Sequence, residues 1–161
     1  MKKLISAILM SLIVMMSYAQ EPVKWTFKLV DDNTDHPSIQ MTATIEAGYH
    51  MYAVNNPAGG SNPLEFFFDV NGAKLDGKPK ANKNYSVEYD DVFEVDQYYY
   101  DNSVTFTQKL KPTAKEFSVS VEIKGQACND TGCHQVFGSK TLKGKSPIAG
   151  EKAEENFGHR L

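Results

Sequence analysis

The sequence predicts an all-β chain, an immunoglobulin-like antiparallel sandwich of two sheets, with a barrel as the competing closure. Three observations lead there. Apolar residues recur with a period of two in segment after segment. Gly, Asn, Asp and Pro interrupt those segments roughly every 8–15 residues. No segment longer than a turn or two carries a 3.6-residue apolar repeat, apart from the N-terminal apolar run and residues 151–156. A chain of 161 residues, 41% of them hydrophobic, holds one domain with its own core.

The first element is a leader. Lys2 and Lys3 supply a positive start, Leu4 to Met16 is apolar, and Ser17-Tyr18-Ala19 presents small residues for cleavage after Ala19. An apolar run of about 13 residues is short for a bilayer core that takes about 20. Residues 1–19 are therefore expected to be a cleaved signal peptide that exports the chain to the periplasm. The domain follows over residues 20–146, and the charged segment 147–161 is expected to be a loosely ordered tail. Without Lys2 and Lys3 the 17 basic residues become 15 against 20 acidic, a net charge of −5. That balance argues against a nucleic-acid or anionic-membrane partner.

The strands come next. Val23, Trp25, Phe27 and Leu29 alternate with polar residues, and so do Ile39, Met41, Ala43 and Ile45 until Gly48 breaks the pattern. Leu64, Phe66, Phe68 and Val70 form a third strand, ended by Asn71-Gly72, two residues that tolerate a positive φ. Tyr85 to Tyr89 reads as a fourth. One strand is expected over Tyr98 to Leu110, where Val104, Phe106 and Gln108 alternate with Thr105 and Thr107. Phe117, Val119, Val121 and Ile123 make another, and a shorter one is expected from Gln135 to Leu142. The total is about seven or eight strands.

The chemistry lies with the only two cysteines, Cys128 and Cys133, five positions apart. Such spacing excludes the bridge that joins distant strands across a sandwich core. Asn129, Asp130 and Gly132 are turn formers, so the pair is expected at the feet of a tight hairpin-like loop, within the Cα separation of about 4.4–6.8 Å that a disulfide accepts. As a staple it is weak, since closing about six residues contributes about 2 kcal/mol against nearly 5 for about a hundred. A bridge so lightly held by loop entropy also suits reversible exchange. Spacing alone leaves staple and redox site evenly matched. A third reading, a metal held by Cys128, Cys133 and His134, lacks a fourth ligand nearby, because His36, His50 and His159 are scattered. His134 could also lower the Cys133 thiol pKa as a neighbouring cation, or be an exposed loop residue.

Several segments together resemble a known family. They are Trp25, Ala47-Gly48-Tyr49-His50-Met51-Tyr52, Asn62-Pro63-Leu64-Glu65-Phe66, Asp90-Asp91-Val92-Phe93-Glu94 leading to Tyr98-Tyr99 and Val104-Thr105-Phe106, and Cys128-Asn129-Asp130 with Cys133. The chain resembles the N-terminal periplasmic domain of the thiol:disulfide interchange protein DsbD, in the separate exported form found in Bacteroidetes-type bacteria. The resemblance implies an immunoglobulin-like sandwich with one redox-active disulfide and no bound cofactor or metal. It also implies a relay of electrons from a thioredoxin-like or membrane thiol-disulfide reductase to oxidised periplasmic proteins, the chemistry that also serves cytochrome c biogenesis. Cys133 would form mixed disulfides and Cys128 resolve them, beneath a cap loop carrying Asp91, Phe93 and Glu94, with Phe93 as the shield. The chain departs from better-known members in a shorter cysteine loop and in His134-Gln135-Val136, where they have prolines. It shows neither a membrane-spanning segment nor a Cys-x-x-Cys, so the donor is expected to be a separate protein. The competing reading is a non-catalytic binding module for carbohydrate or an envelope protein. In it the disulfide is structural and Tyr98 to Tyr100 make the contacts, although alternation turns at least one of these inward.

Overall fold

A computed structural model of the chain describes residues 21–147. The expected signal peptide and all of the expected tail but Pro147 lie outside the described residues. Period-two alternation folds as it should. β1 (Val23–Val30) and β2 (Ser38–Ile45) pair along their whole length, from Val23 opposite Ile45 to Val30 opposite Ser38. β3 (His50–Tyr52), β4 (Glu65–Asn71), β5 (Ala73–Ala81), β6 (Ser86–Asp90), β7 (Val95–Tyr100), β8 (Ser103–Pro112), β9 (Glu116–Asn129) and β10 (Gly132–Lys145) follow. No helix occurs among the described residues, and none there is long and apolar enough to cross a membrane.

Two sheets face each other, one in the order β1-β2-β8-β5 and the other β10-β9-β3-β7-β6, with β4 also paired to β9. All pairings are antiparallel. This is the immunoglobulin-like sandwich that the periodicity predicts, with ten strands in place of seven or eight. Of the three strands beyond the seven segments read in the sequence, two are β3, only three residues long, and β5, an edge strand whose Lys74, Lys78 and Lys80 leave no apolar stripe to read; the third comes from a break at Asn102. β5 also changes register between Asp76 and Lys80, where Gly77 sits at φ 74°. Gln108 Nε2 donates to the Gly77 carbonyl at 3.1 Å and thereby ties the bulge to the core.

The expected single strand over Tyr98 to Leu110 is corrected to two. Asn102 takes φ 61°, a left-handed value that ends the extended run, so β7 stays in the six-stranded sheet while β8 enters the four-stranded one. The core lies between the sheets. Ile39, Met41 and Ala43 from β2, Val104, Phe106 and Leu110 from β8, and Val119, Val121 and Ile123 from β9 are all buried. Phe106 anchors an aromatic cluster with Phe66 at 5.0 Å, Tyr100 at 5.8 Å and Trp25 at 6.3 Å between ring centroids. Backbone approaches the Trp25 indole so closely at Gly138 that a Cβ there would meet the ring at 2.7 Å.

Candidate functional site

β9 and β10 continue past the core as one long hairpin, closed by Asp130 and Thr131. Neither has the positive φ that the commonest two-residue hairpin turns demand. Asn129 holds the turn instead: its Oδ1 accepts from Thr131 N at 3.0 Å, Thr131 Oγ1 at 2.8 Å and Gly132 N at 3.0 Å. Just inside the turn, Cys128 stands directly opposite Cys133 and the two are joined, with S–S 2.01 Å. Their Cα atoms are 4.0 Å apart, just below the expected disulfide range.

Strand parity decides what surrounds the bridge. In β9 the odd positions Phe117 to Ala127 point into the core, so Cys128 points to the outer face of the six-stranded sheet. Outer-face residues are normally solvated, yet Cys128 is 8% exposed while Cys133 is exposed. The difference is one of neighbours, since β3 sets His50 opposite Cys128 whereas Cys133 lies on the edge strand β10, and a cleft of about 350 Å³ opens on the Cys128 side. Its walls are His50 and Tyr52 from β3, Gln97 and Tyr99 from β7, and the β6–β7 end from Glu88 to Val92.

That β6–β7 end is the expected cap loop. Asp90 builds it: Oδ1 accepts from Val92 N at 2.8 Å and Phe93 N at 3.0 Å, and Oδ2 accepts from Gln97 Nε2 at 2.6 Å. Gln97 Oε1 in turn accepts from Asn56 Nδ2 and Ser61 N, which ties the turn to the loop between β3 and β4. Glu94 closes the turn at φ 56°. Asp91 and Val92 line the cleft beside Cys128, whereas Phe93 and Glu94 are not among its lining residues. Phe93 is 47% exposed and Val92 86%. The segment is therefore beside the disulfide, and Asp91 is the member of the expected trio that reaches the cleft.

The Phe93 amide above all, helped by Gln97 and the Val92 amide, holds the Asp90 carboxyl below the ordinary carboxylate range, against desolvation, which is the second-largest effect. A depressed folded value means that the anchoring is present above the unfolded carboxylate pKa and is lost only as pH falls through the lower folded one. The expected result is that the Val92 and Phe93 amides stay protected from hydrogen exchange down to about pH 4. Asp90→Ala exposes both at neutral pH. Equal exchange at the two amides in wild type and variant would show that the carboxylate does not hold the turn.

On the far side of Cys128 stands His50, directly opposite it in the β3–β9 pairing. Its Nδ1 lies 2.6 Å from Asp101 Oδ1, and its ring is 4.1 Å from that of Tyr99. The Tyr99 hydroxyl donates to Glu88 Oε2 at 3.3 Å, and burial, followed by the Glu88 charge, raises its pKa so that it stays protonated. Tyr98 and Tyr100 pack toward the core and leave Tyr99 alone of the three on the cleft side. His134, considered in the sequence as a neighbour of Cys133, sits on the other face of β10 with its ring 5.6 Å from that of Tyr49. Gln97 and Asp101 escaped sequence reasoning. Their only signal is register: once β3 is known to be a strand, the pairing of Met51 with Tyr100 brings Asp101 beside His50.

Comparison with known proteins places this geometry. Residues 18–142 match the family described as thiol:disulfide interchange protein DsbD, N-terminal. No curated protein sequence matches. Among solved structures, the N-terminal periplasmic domain of ScsB from Proteus mirabilis is similar with a TM-score of 0.53 at 14% identity, over 89% of this chain and 55% of that one. The reduced DsbD N-terminal domain of Neisseria meningitidis gives 0.48 at 19% identity, over 75% of this chain and 86% of that one. The complex between the DsbD and PilB N-terminal domains of the same organism gives 0.43 at 15%, over 80% and 88%. The ScsB likeness supports the fold. Because the family match runs from before β1 into β10 and takes in both cysteines, the chain belongs to the DsbD N-terminal domain family.

Proposed function

We propose that the chain is an exported thiol-disulfide exchange domain, which relays electrons between a membrane-linked reductant and oxidised periplasmic proteins. Thiol-disulfide interchange follows from the family. The observation that carries the finer reading is the asymmetry of the bridge, with Cys133 exposed and Cys128 buried against the cleft. Exchange needs one sulfur open to in-line attack and a second held ready but shielded.

In the reduced state the Cys133 thiolate attacks one sulfur of a partner disulfide and releases the other as a thiolate. Cys128 then attacks Cys133 Sγ, frees the partner as a dithiol, and leaves Cys128–Cys133 oxidised. Two electrons pass to the partner. A donor dithiol restores the pair by the reverse route. No cofactor enters, because the reduced Cys128/Cys133 dithiol itself carries both electrons and gives them up on forming the S–S bond. The cap segment limits attack by small thiols on the Cys128 side through Asp91 in the cleft, with Phe93 and Glu94 completing its turn, residues 1–19 direct export, and the donor is a separate thioredoxin-like or membrane reductase.

The equilibrium reduction potential of the protein without residues 1–19 tests this reading. A value between about −270 and −120 mV, the span of exchange proteins, is the expected result. A value below about −300 mV would mark a structural bridge and would favour a non-catalytic binding module instead.

A further inference from the structure

Attack on the exposed Cys133 makes Cys128 the leaving sulfur, and its surroundings resist a bare thiolate. Cys128 is buried, and burial raises a thiol pKa. The cleft beside it is lined by four carboxylates, Glu88, Asp90, Asp91 and Asp130, which repel another anion. Among the cleft's lining residues one side chain can carry a positive charge, His50. As directly opposed members of an antiparallel pair, His50 and Cys128 have Cβ atoms about 4.5–5.5 Å apart on the same face.

We propose that His50 gives a proton to Cys128 when the disulfide is reduced and takes it back when the pair is reoxidised, with Asp101 as its positioning residue. The proposal rests on the exchange reading above. Asp101 occupies Nδ1 at 2.6 Å and so leaves Nε2 as the nitrogen free to exchange a proton. The Lys83 ammonium donates to the Asp101 carbonyl at 2.7 Å and fixes that end of β7. The Tyr99 ring leans against the imidazole at an interplanar angle of 52°, and Tyr52 lines the same cleft. The His50 side chain is 39% exposed, so its proton equilibrates with water between turnovers.

The steps balance. A donor thiolate attacks Cys133 Sγ, the Cys128–Cys133 bond breaks, and its electron pair leaves on Cys128, which takes the proton from protonated His50. In the other direction neutral His50 removes the Cys128 proton as that sulfur attacks Cys133 Sγ in a mixed disulfide, and the partner's sulfur departs as a thiolate.

Dithiothreitol reduction of the oxidised, leaderless protein from pH 5 to 9, with each rate divided by reductant thiolate concentration, tests the proposal. In wild type this corrected rate is expected to fall about tenfold as pH rises through the imidazole range. In His50→Gln it is expected to be flat and about tenfold below wild type at pH 6. Asp101→Asn is expected to lower the corrected rate at pH 6 while the fall with pH persists, because His50 remains but loses the carboxylate that holds its Nδ1. A purely structural role for His50 would lower the rate by one factor at every pH, and that result overturns the proposal. So does a wild-type profile without an inflection, which can be read even if a variant fails to fold. A reduction potential in the exchange range alongside a flat wild-type profile would sink the role of His50 and leave the exchange reading standing.

Discussion

Cys128→Ala turns the chain into a trap. In the exporting cell it is expected to accumulate disulfide-linked adducts through Cys133 that vanish on treatment with reductant, whereas Cys133→Ala forms none and loses exchange altogether. The difference follows from exposure, since only Cys133 offers its sulfur to a protein-sized partner and only Cys128 stands behind it to resolve the product. Either substitution removes a short-loop bridge worth about 2 kcal/mol, which a sandwich with this core tolerates. Non-reducing electrophoresis of the two variants and the double variant decides the matter. Adducts on Cys133→Ala, or none on Cys128→Ala, would reverse or remove the assigned roles.

Phe106→Ala is expected to cost the most stability of any single truncation. The ring is 2% exposed and meets Phe66, Tyr100 and Trp25, so its loss leaves a cavity walled by three rigid aromatic groups that collapse poorly. Comparable truncations cost about 3–5 kcal/mol, against a total of about 5–15 for a domain. The denaturant midpoint should drop accordingly, with the slope unchanged. A loss below about 1 kcal/mol would mean that the cluster repacks freely, contrary to the interlocking seen here.

Legibility followed the strength of the apolar alternation. β1, β2 and β9 carry four or more inward apolar residues each, β4 carries three with Leu64 just before it, and all four were readable from the sequence, although β9 runs on to Asn129, well past Ile123. β5 was not readable, because an edge strand with Gly77 and Pro79 buries too little to leave a period. The break after Tyr100 was hidden because Tyr100 and Val104 are both buried and so read as one stripe, although they line opposite sheets. At the site, the cysteine spacing showed the hairpin, and the family resemblance pointed to residues 90–94. The cleft could not be foreseen. It needs β3 seated between β7 and β9, and pairings between segments so far apart leave no local trace.

The β9–β10 ladder runs from Glu116 opposite Lys145 to Asn129 opposite Gly132, so the fold itself sets the separation of the two sulfurs. The facing pairs on the core side of the bridge, from His134 opposite Ala127 to Lys145 opposite Glu116, set that register without the sulfurs. Cys128 therefore faces a mixed disulfide on Cys133 at the high effective molarity of an oriented intramolecular reaction. Under the proposed exchange, the strand pairing would make release of the partner independent of concentration and leave encounter with the next partner to set the pace.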